Sequence, residues 1–350
     1  MNNLSTLHLT DCSEINCIFD TTCDFKEDDI IPRTDEVLFS ESIAQSLQKL
    51  EQLTIHGCSE LKHIISASGS EHGGCSTSEE IVPAPMNSNF FMTNIRDVNI
   101  YDCPRLESIF PLCYVEGVPR LQKMHISLAP NLKYVFGKCD HEHLSSYQNL
   151  NNAMLPHLEV LKLVYLENLI GMCPENYQAN WPSQSLRILT IQNCRKLAIP
   201  WFSLNAGYDQ RQHHLNEIWS LQCLEYLSLT YCEELKCLFS MEIHRSLPEL
   251  MYLCVCNCDE LEQIVATNEE LVELCNSELY FPKLKQISVY NCNKLKSVFP
   301  LSMVTMLPQL SILTLIDATQ LQEISAVVLS YMPLNFKHSA YLAAPKLLQA

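Results

Sequence analysis

The chain has 350 residues, a formal net charge of −17 and 47% hydrophobic side chains. That much apolar material excludes wholesale disorder, and the acidic balance excludes binding to a phosphate backbone, which needs clustered Lys and Arg. No apolar run reaches the roughly 18 residues of a membrane span, and 8 glycines leave no room for a glycine-rich phosphate cradle.

The opening, MNNLSTLHLTDC, has neither a basic n-region nor an apolar h-region, so it does not read as a signal peptide. It begins inside a pattern instead: Leu4, Leu7, Leu9, Cys12, Ile15, Ile18. The pattern is clearest as Leu284-x-x-Ile287-x-Val289-x-x-Cys292-x-x-Leu295-x-x-Val298, and it recurs through Leu250, Leu253, Val255, Cys258, Leu261 and Ile264. An apolar frame closed by a small Cys is the leucine-rich-repeat frame. Ten frames start at Leu4, Leu50, Ile95, Leu121, Leu158, Leu186, Leu224, Leu250, Leu284 and Leu310. A chain of this length would ordinarily be two or three domains, but stacked repeats need no second core. The expected fold is α/β, a leucine-rich-repeat solenoid over 1–350. It is expected as a curved horseshoe with a parallel β-sheet on the concave face and irregular or short helical segments on the convex side.

Between the first three frames lie long inserts at 20–46, which is acidic, and 66–92, which is rich in Gly, Ser and Glu and is expected to be mobile. From Ile95 onward short and long steps alternate. The short ones run through segments such as FSMEIHRSLPEL and FPLSMVTMLPQL, where a helical turn fits. Pro119, Pro156, Pro248, Pro282 and Pro308 each stand two residues before a frame and should set the approach to the strand, since Pro cannot donate to a central ladder. The end, KHSAYLAAPKLLQA, reads as a further A-P-K-L start cut short. Truncated repeats at both ends, and hence a fragment, are the expectation.

Eighteen cysteines would suggest a disulfide framework in a small secreted domain. Here Cys12, Cys58, Cys103, Cys194, Cys232, Cys258 and Cys292 share one frame position. That position points into the coil, where a small reduced thiol packs and donates to a turn carbonyl. A ladder of thiols implies a reducing, cytoplasmic setting. Ala129, Ala318 and Leu166 replace Cys in three frames.

Enzymatic signatures are missing: the sequence contains no P-loop, G-x-S-x-G, H-E-x-x-H or G-x-G-x-x-G. Cys254-Val255-Cys256-Asn257-Cys258 has thiolate-ligand chemistry. Strand alternation, however, sends Cys254 and Cys256 outward and Cys258 inward, so the three cannot converge on one ion. The ligand-type residues of Cys139-Asp140-His141-Glu142-His143, and the pair His213-His214, lie in polar inserts without a second half-site. The paired carboxylates Glu79-Glu80, Glu233-Glu234 and Glu269-Glu270 have no companion base and read as solvated faces. The expectation is no enzyme, no metal and no cofactor.

Residues between the buried positions should face the concave wall. In frames seven to nine these include Tyr226, Tyr231, Tyr252 and Tyr290 with Asn257, interleaved with Ser228, Thr230 and Ser288. With strands about 4.8 Å apart the tyrosines should form one contiguous patch. Two readings stand: a binding hot spot, which Tyr suits by its large area and polar tip, or the ordinary preference of Tyr for strands.

The repeat style, L-x-x-L-x-[IL]-x-x-C-x-x-L-x-x-[IV]-F with starts such as FPKL and LPEL, resembles the repeat region of plant nucleotide-binding leucine-rich-repeat disease resistance proteins. LEVLKLVYLENL, LTIQNCRKL and ISVYNCNKLKSVF match the coiled-coil subclass, and the resemblance runs along the whole chain. It implies an intracellular immune receptor in which the repeats bind a pathogen effector, or a modified host protein, and restrain a nucleotide-binding domain whose motifs this sequence lacks. The alternative is a substrate-recognition adaptor of an F-box ubiquitin ligase.

Overall fold

Each frame alternates apolar and polar residues over five positions, and that period of two makes a strand with one buried face. The computed structural model describes residues 4–15, 37–39, 48–65, 92–111, 118–137, 155–174, 185–197, 221–233, 235–239, 247–265, 281–299, 307–321 and 341–343. They fall into two compact units, Met1–Leu158 with Leu169–Trp181, and Glu159–Asn168 with Pro182–Ala350.

The first unit contains β1 (Thr6–Thr10), β2 (Val37–Phe39), β3 (Gln52–His56), β4 (His63–Ile65), β5 (Asp97–Tyr101), β6 (Phe110–Pro111), β7 (Lys123–Ser127) and β8 (Phe136–Gly137). The frame strands β1, β3, β5 and β7 pair in parallel in that order, without a register shift: Leu7 opposes Leu53, which opposes Val98, which opposes Met124. The second unit contains β9 (Val160–Val164), β10 (Ile188–Gln192), β11 (Tyr226–Thr230), β12 (Cys237–Phe239), β13 (Tyr252–Cys256), β14 (Gln263–Val265), β15 (Gln286–Tyr290), β16 (Ile312–Ile316) and β17 (Tyr341–Ala343). Here the parallel order is β9-β10-β11-β13-β15-β16-β17. In both units the expected parallel sheet of a repeat solenoid is present.

The apolar frame positions make the core. Leu161, Leu189, Leu227, Leu253, Ile287 and Leu313 form one buried row, and Leu163, Ile191, Leu229, Val255, Val289 and Leu315 form the next. Each such side chain contributes roughly 1.5–3 kcal/mol by leaving water, and truncating one, as in Leu253→Ala, costs about 2–5 kcal/mol.

Behind the frame strands the coil returns through turns and short parallel pairs, β2 with β4, β6 with β8, and β12 with β14. Among the described residues there is no helix. The segments expected to be helical lie largely outside the described residues, as do most of both long inserts; the described part of the first insert is strand β2. Phe110 packs on Phe136 with ring centroids 5.9 Å apart, and Phe239 on Phe281 at 5.3 Å.

Two turns set each coil. The first ends at the frame start, where the amide of Leu121, Leu158, Leu250, Leu284 or Leu310 donates to the carbonyl three residues back. Pro119, Pro156, Pro248, Pro282 and Pro308 therefore occupy the second turn position, which their fixed φ suits. The second turn starts at the ladder residue: the amides of Leu61, Leu106, Leu197, Leu235, Leu261 and Leu295 donate back to Cys58, Cys103, Cys194, Cys232, Cys258 and Cys292.

At the end of the described residues β17 pairs with β16 through Leu315 opposite Leu342; the A-P-K-L stretch expected to start a truncated repeat lies outside the described residues.

The ladder thiols bond to the carbonyl of the last strand residue, two positions back, and not to a carbonyl of the turn itself. Cys58 donates to His56, Cys103 to Tyr101, Cys194 to Gln192, Cys258 to Cys256 and Cys292 to Tyr290, at 3.4–3.7 Å. Each of those carbonyls also accepts an amide from the preceding coil, for example Asn257 N to the Tyr290 carbonyl at 2.9 Å. The thiol takes the second lone pair of an acceptor already in use. Cys58, Cys103, Cys194, Cys258 and Cys292 are buried, Cys12 and Cys232 half-buried, and all seven are free thiols.

Burial pushes the Cys194 thiol up to about 12 from its ordinary 9.0. The folded chain then keeps a proton that the unfolded chain loses, so the contribution of Cys194 is intact below pH 9 and is lost as pH rises toward 12. The melting temperature should fall over that range in the wild type and fall less steeply in Cys194→Ala. Parallel slopes in a pH series of thermal melts would show that this thiol does not contribute.

Candidate protein-binding face

In the second unit the outward side chains of β9, β10, β11, β13, β15 and β16 form three rows across the strands. At the first strand position stand Val160, Ile188, Tyr226, Tyr252, Gln286 and Ile312. The middle row is Lys162, Thr190, Ser228, Cys254, Ser288 and Thr314, and the last is Val164, Gln192, Thr230, Cys256, Tyr290 and Ile316. Lys162 is the one charged residue among these positions. Charge depletion with enriched aromatics is the compositional mark of an interface core.

The face of the first unit is different. Its rows are Thr6, Gln52, Asp97, Lys123; His8, Thr54, Asn99, His125; and Thr10, His56, Tyr101, Ser127. It is polar: Lys123 lies 3.8 Å from Asp97, whose Oδ1 is buried without a hydrogen-bond partner, and the Tyr101 hydroxyl is 2.8 Å from His125 Nδ1 with the rings edge to face.

The structure divides the expected tyrosine patch. Tyr226 and Tyr252 are in register on adjacent strands and stand side by side. Tyr290 is at the opposite strand end, four residues or about 13 Å along. There it neighbours Cys256. Ser288, expected on the exposed wall, is 4% exposed, with Gln286 Nε2 donating to its hydroxyl at 3.1 Å. The face therefore has two aromatic margins separated by a row of small side chains.

Tyr231 and Asn257 belong to a fourth row, just beyond the strands, where the chain turns a corner before the ladder residue. That corner has positive φ in all ten coils in which it is described: Asp11, Gly57, Asp102, Leu128, Tyr165, Asn193, Tyr231, Asn257, Asn291 and Asp317, with φ between 52° and 67°. Asn, Asp and Gly tolerate this region and other residues do so at a cost. At Gly57 crowding adds to the demand, since a Cβ would lie 2.2 Å from Asp11 Oδ1. In the second unit Asn291 Nδ2 donates to Asn257 Oδ1 at 2.9 Å, so amide side chains support one another along the row.

Leu128, Tyr165 and Tyr231 break the rule, and all three are exposed, by 48%, 40% and 42%. With Tyr252, at 39%, they are the exposed large hydrophobic residues among the described ones. Bulky apolar groups held in a strained conformation and turned to solvent lack a folding rationale, and strain of this kind collects at functional sites. Tyr231 was among the sequence candidates. Tyr165 and Leu128 were missed, although a residue other than Asn, Asp or Gly before the ladder position was a signal available in the sequence. The Tyr165 hydroxyl accepts from Gln192 Nε2 at 3.1 Å, which fixes its ring beside the third row.

The charges lie on the flanks, paired from coil to coil. Arg187 meets Glu225, Arg195 meets Glu233, Lys283 meets Glu249, Lys294 meets Glu260 and Lys296 meets Glu262, at 2.5–3.0 Å. Each exposed pair contributes at most about 1 kcal/mol. Cys139–His143, His213-His214, Glu79-Glu80, Glu269-Glu270 and Glu234 lie outside the described residues. Among the described residues no three metal-ligating side chains cluster, and no helix is long and apolar enough to cross a membrane.

Residues 259–319 match the family model for the leucine-rich repeats of RPS2-like plant disease resistance proteins. No protein of curated function matches the chain. Among solved structures it is similar to a leucine-rich-repeat protein of Leptospira interrogans, with 14% identity, 82% of this chain and 76% of that chain covered, and a TM-score of 0.26. The frames, the coil geometry and the family match together make this a chain with a leucine-rich-repeat region.

Relieving the corner strain should stabilise the chain. Tyr165→Asn and Tyr231→Asn are each expected to raise stability by about 0.5–1 kcal/mol, and Asn257→Tyr to lower it by a similar amount. Urea midpoints for the three variants check this. A loss of stability in both Tyr variants would mean that the rings contribute packing that outweighs the strain.

Proposed function

We propose that this chain is a non-catalytic, protein-binding repeat region of an intracellular plant immune receptor. In this reading it binds a pathogen effector or a modified host protein and restrains a nucleotide-binding switch domain in the cytoplasm. The observation that carries the binding part is the outward face of the second unit, where Lys162 is the single charge among eighteen strand positions and Tyr226, Tyr252 and Tyr290 line the margins. Such a face desolvates at little cost and offers aromatic area with polar tips. The disease-resistance context rests on the family match at 259–319 and on the repeat style of the sequence.

The margins make separate predictions. In a pull-down against a separately expressed nucleotide-binding domain of this receptor family, the wild-type chain should bind saturably. Tyr226→Ala with Tyr252→Ala should weaken binding at least tenfold, because side-by-side aromatics at an interface core act as a hot spot. Tyr290→Ala alone tests the opposite margin and should weaken it less. Binding unchanged in all variants would move the interface off this face. A folded chain that does not bind would overturn the switch-restraining role and favour an adaptor for a ubiquitin ligase.

A further inference from the structure

The strand between the two aromatic margins carries two thiols that neither the core nor the ladder uses. Cys254 and Cys256 alternate with the buried Leu253 and Val255 on β13, and both turn to the outward side. Their Sγ atoms are 3.6 Å apart. Across the sheet Cys254 lies between Ser228 and Ser288, and Cys256 between Thr230 and Tyr290. The ladder thiol Cys258 points the other way, into the core, and donates to the Cys256 carbonyl. The outward pair therefore faces away from the ladder thiols, is half-accessible, and is held in mutual contact by a strand paired on both sides.

The contact polarises the pair. The hydrogen bond from Cys256, with a smaller contribution from the Ser228 hydroxyl, brings the Cys254 thiol down to about 7 from 9.0 against the opposing effect of burial. The same bond pushes Cys256 up, so one proton is shared and sits on Cys256. Cys58 is also lowered to about 7, through its bond with Cys103. It is 1% exposed, so reagents have no access to it.

We propose that Cys254 and Cys256 form a peroxide-responsive dithiol, with Cys254 as the sulfur oxidised first and Cys256 as the resolving thiol. In the first step the Cys254 thiolate attacks one oxygen of a hydroperoxide. The O–O bond breaks, a sulfenic acid forms, and the departing oxygen leaves as water, or as an alcohol for an organic hydroperoxide, after taking a proton from solvent. In the second step the Cys256 sulfur attacks the sulfenic sulfur. The S–O bond breaks, the S–S bond forms, and hydroxide leaves as water with the proton of Cys256. Two thiols lose two electrons and the hydroperoxide gains them.

The strand also sets how easily the bond is undone. Alternate Cα atoms of an extended strand are about 6.6 Å apart, near the upper limit of about 6.8 Å that a disulfide spans, and the Cβ atoms must close to about 3.5–4.5 Å, so the strand bends locally when the bond forms. Ladder bonds to β11 and β15 oppose any shortening. A disulfide here is strained, so mild thiols reduce it and the mark is reversible.

The test treats the reduced full chain with an equimolar amount of hydrogen peroxide at neutral pH, blocks remaining thiols with an alkylating reagent, and maps peptides without reduction. The peptide holding Cys254, Cys256 and Cys258 should lose two hydrogens and carry no alkyl group at Cys254 or Cys256, Cys258 being alkylated once the chain is denatured, and dithiothreitol should restore both sites. Cys256→Ser should stop at a sulfenic acid on Cys254 that dimedone traps. Cys254→Ser should slow oxidation of this peptide by about tenfold or more, as expected when the thiolate is removed. Alkylation of Cys254 in the wild type should rise with pH about a midpoint near 7. The proposal is overturned if Cys254 and Cys256 both carry alkyl groups while other cysteines oxidise, if Cys254→Ser reacts at the wild-type rate, or if the alkylation midpoint stays at 9.

Discussion

Leu189, Leu227, Leu253, Ile287 and Leu313 stand in register on successive strands, and none of them would be buried by its own coil. A coil of about thirty residues has no interior, so it is the stacking of one apolar row on the next that removes these side chains from water. The in-phase register follows from this, since a slip of one residue would turn every apolar side chain outward. The prolines at the first turn and the thiols at the second also serve the stack. They return the chain to the same point in each coil and satisfy the carbonyls that the stacking buries. The Glu–Lys and Glu–Arg pairs connect coils at the repeat spacing because side chains at equivalent positions are brought together by the same registration.

The corner beyond the strand is where this regularity and binding make opposite demands. After the fifth strand residue the backbone must turn inward while its amide still reaches the next coil, as when Tyr231 N donates to the Cys256 carbonyl at 3.0 Å. Positive φ achieves both, and Asn, Asp or Gly meets it in seven of the ten coils. The other three accept strain to place Leu128, Tyr165 and Tyr231 in solvent. The buried Leu155 and Phe281 also have positive φ, at the first turn, where their side chains enter the core. Strain rewarded by burial is a folding feature. Strain accompanied by exposure gains no such burial.

What was legible in the sequence is what the stack dictates. The buried frame positions, the seven thiols and the five prolines recur at fixed offsets, so their roles follow from spacing. Alternation places Cys254 and Cys256 on the outward face, but Cys258, of the same parity, points inward because the positive-φ corner at Asn257 turns the chain before it. Less legible was anything that depends on which end of a strand a residue occupies. Tyr252 and Tyr290 look equivalent as outward residues of neighbouring frames, yet one starts its strand and the other ends it, so the patch divides. Ser288 is outward by parity but buried because Gln286, two residues before it on the same face, folds over it.

The distribution of charge joins these points. A chain of net charge −17 could repel itself along every surface, but in the second unit acidic residues sit on the flanks, several of them opposite Lys or Arg of the next coil. This leaves the outward face nearly neutral. The charged flanks favour solvation, while the face has a low desolvation cost. From β10 to β16 the middle row of that face is made of small side chains, with Lys162 beside it on β9. Thr190, Ser228, Cys254, Ser288 and Thr314 therefore form a floor between taller margins. A partner side chain inserted between the margins would rest on that floor, and at β13 it would meet the Cys254 and Cys256 sulfurs directly. The thiols sit where occupancy of the face would shield them from an oxidant. In the two readings proposed above, a partner seated on this face would cover the thiols, so binding and oxidation would compete.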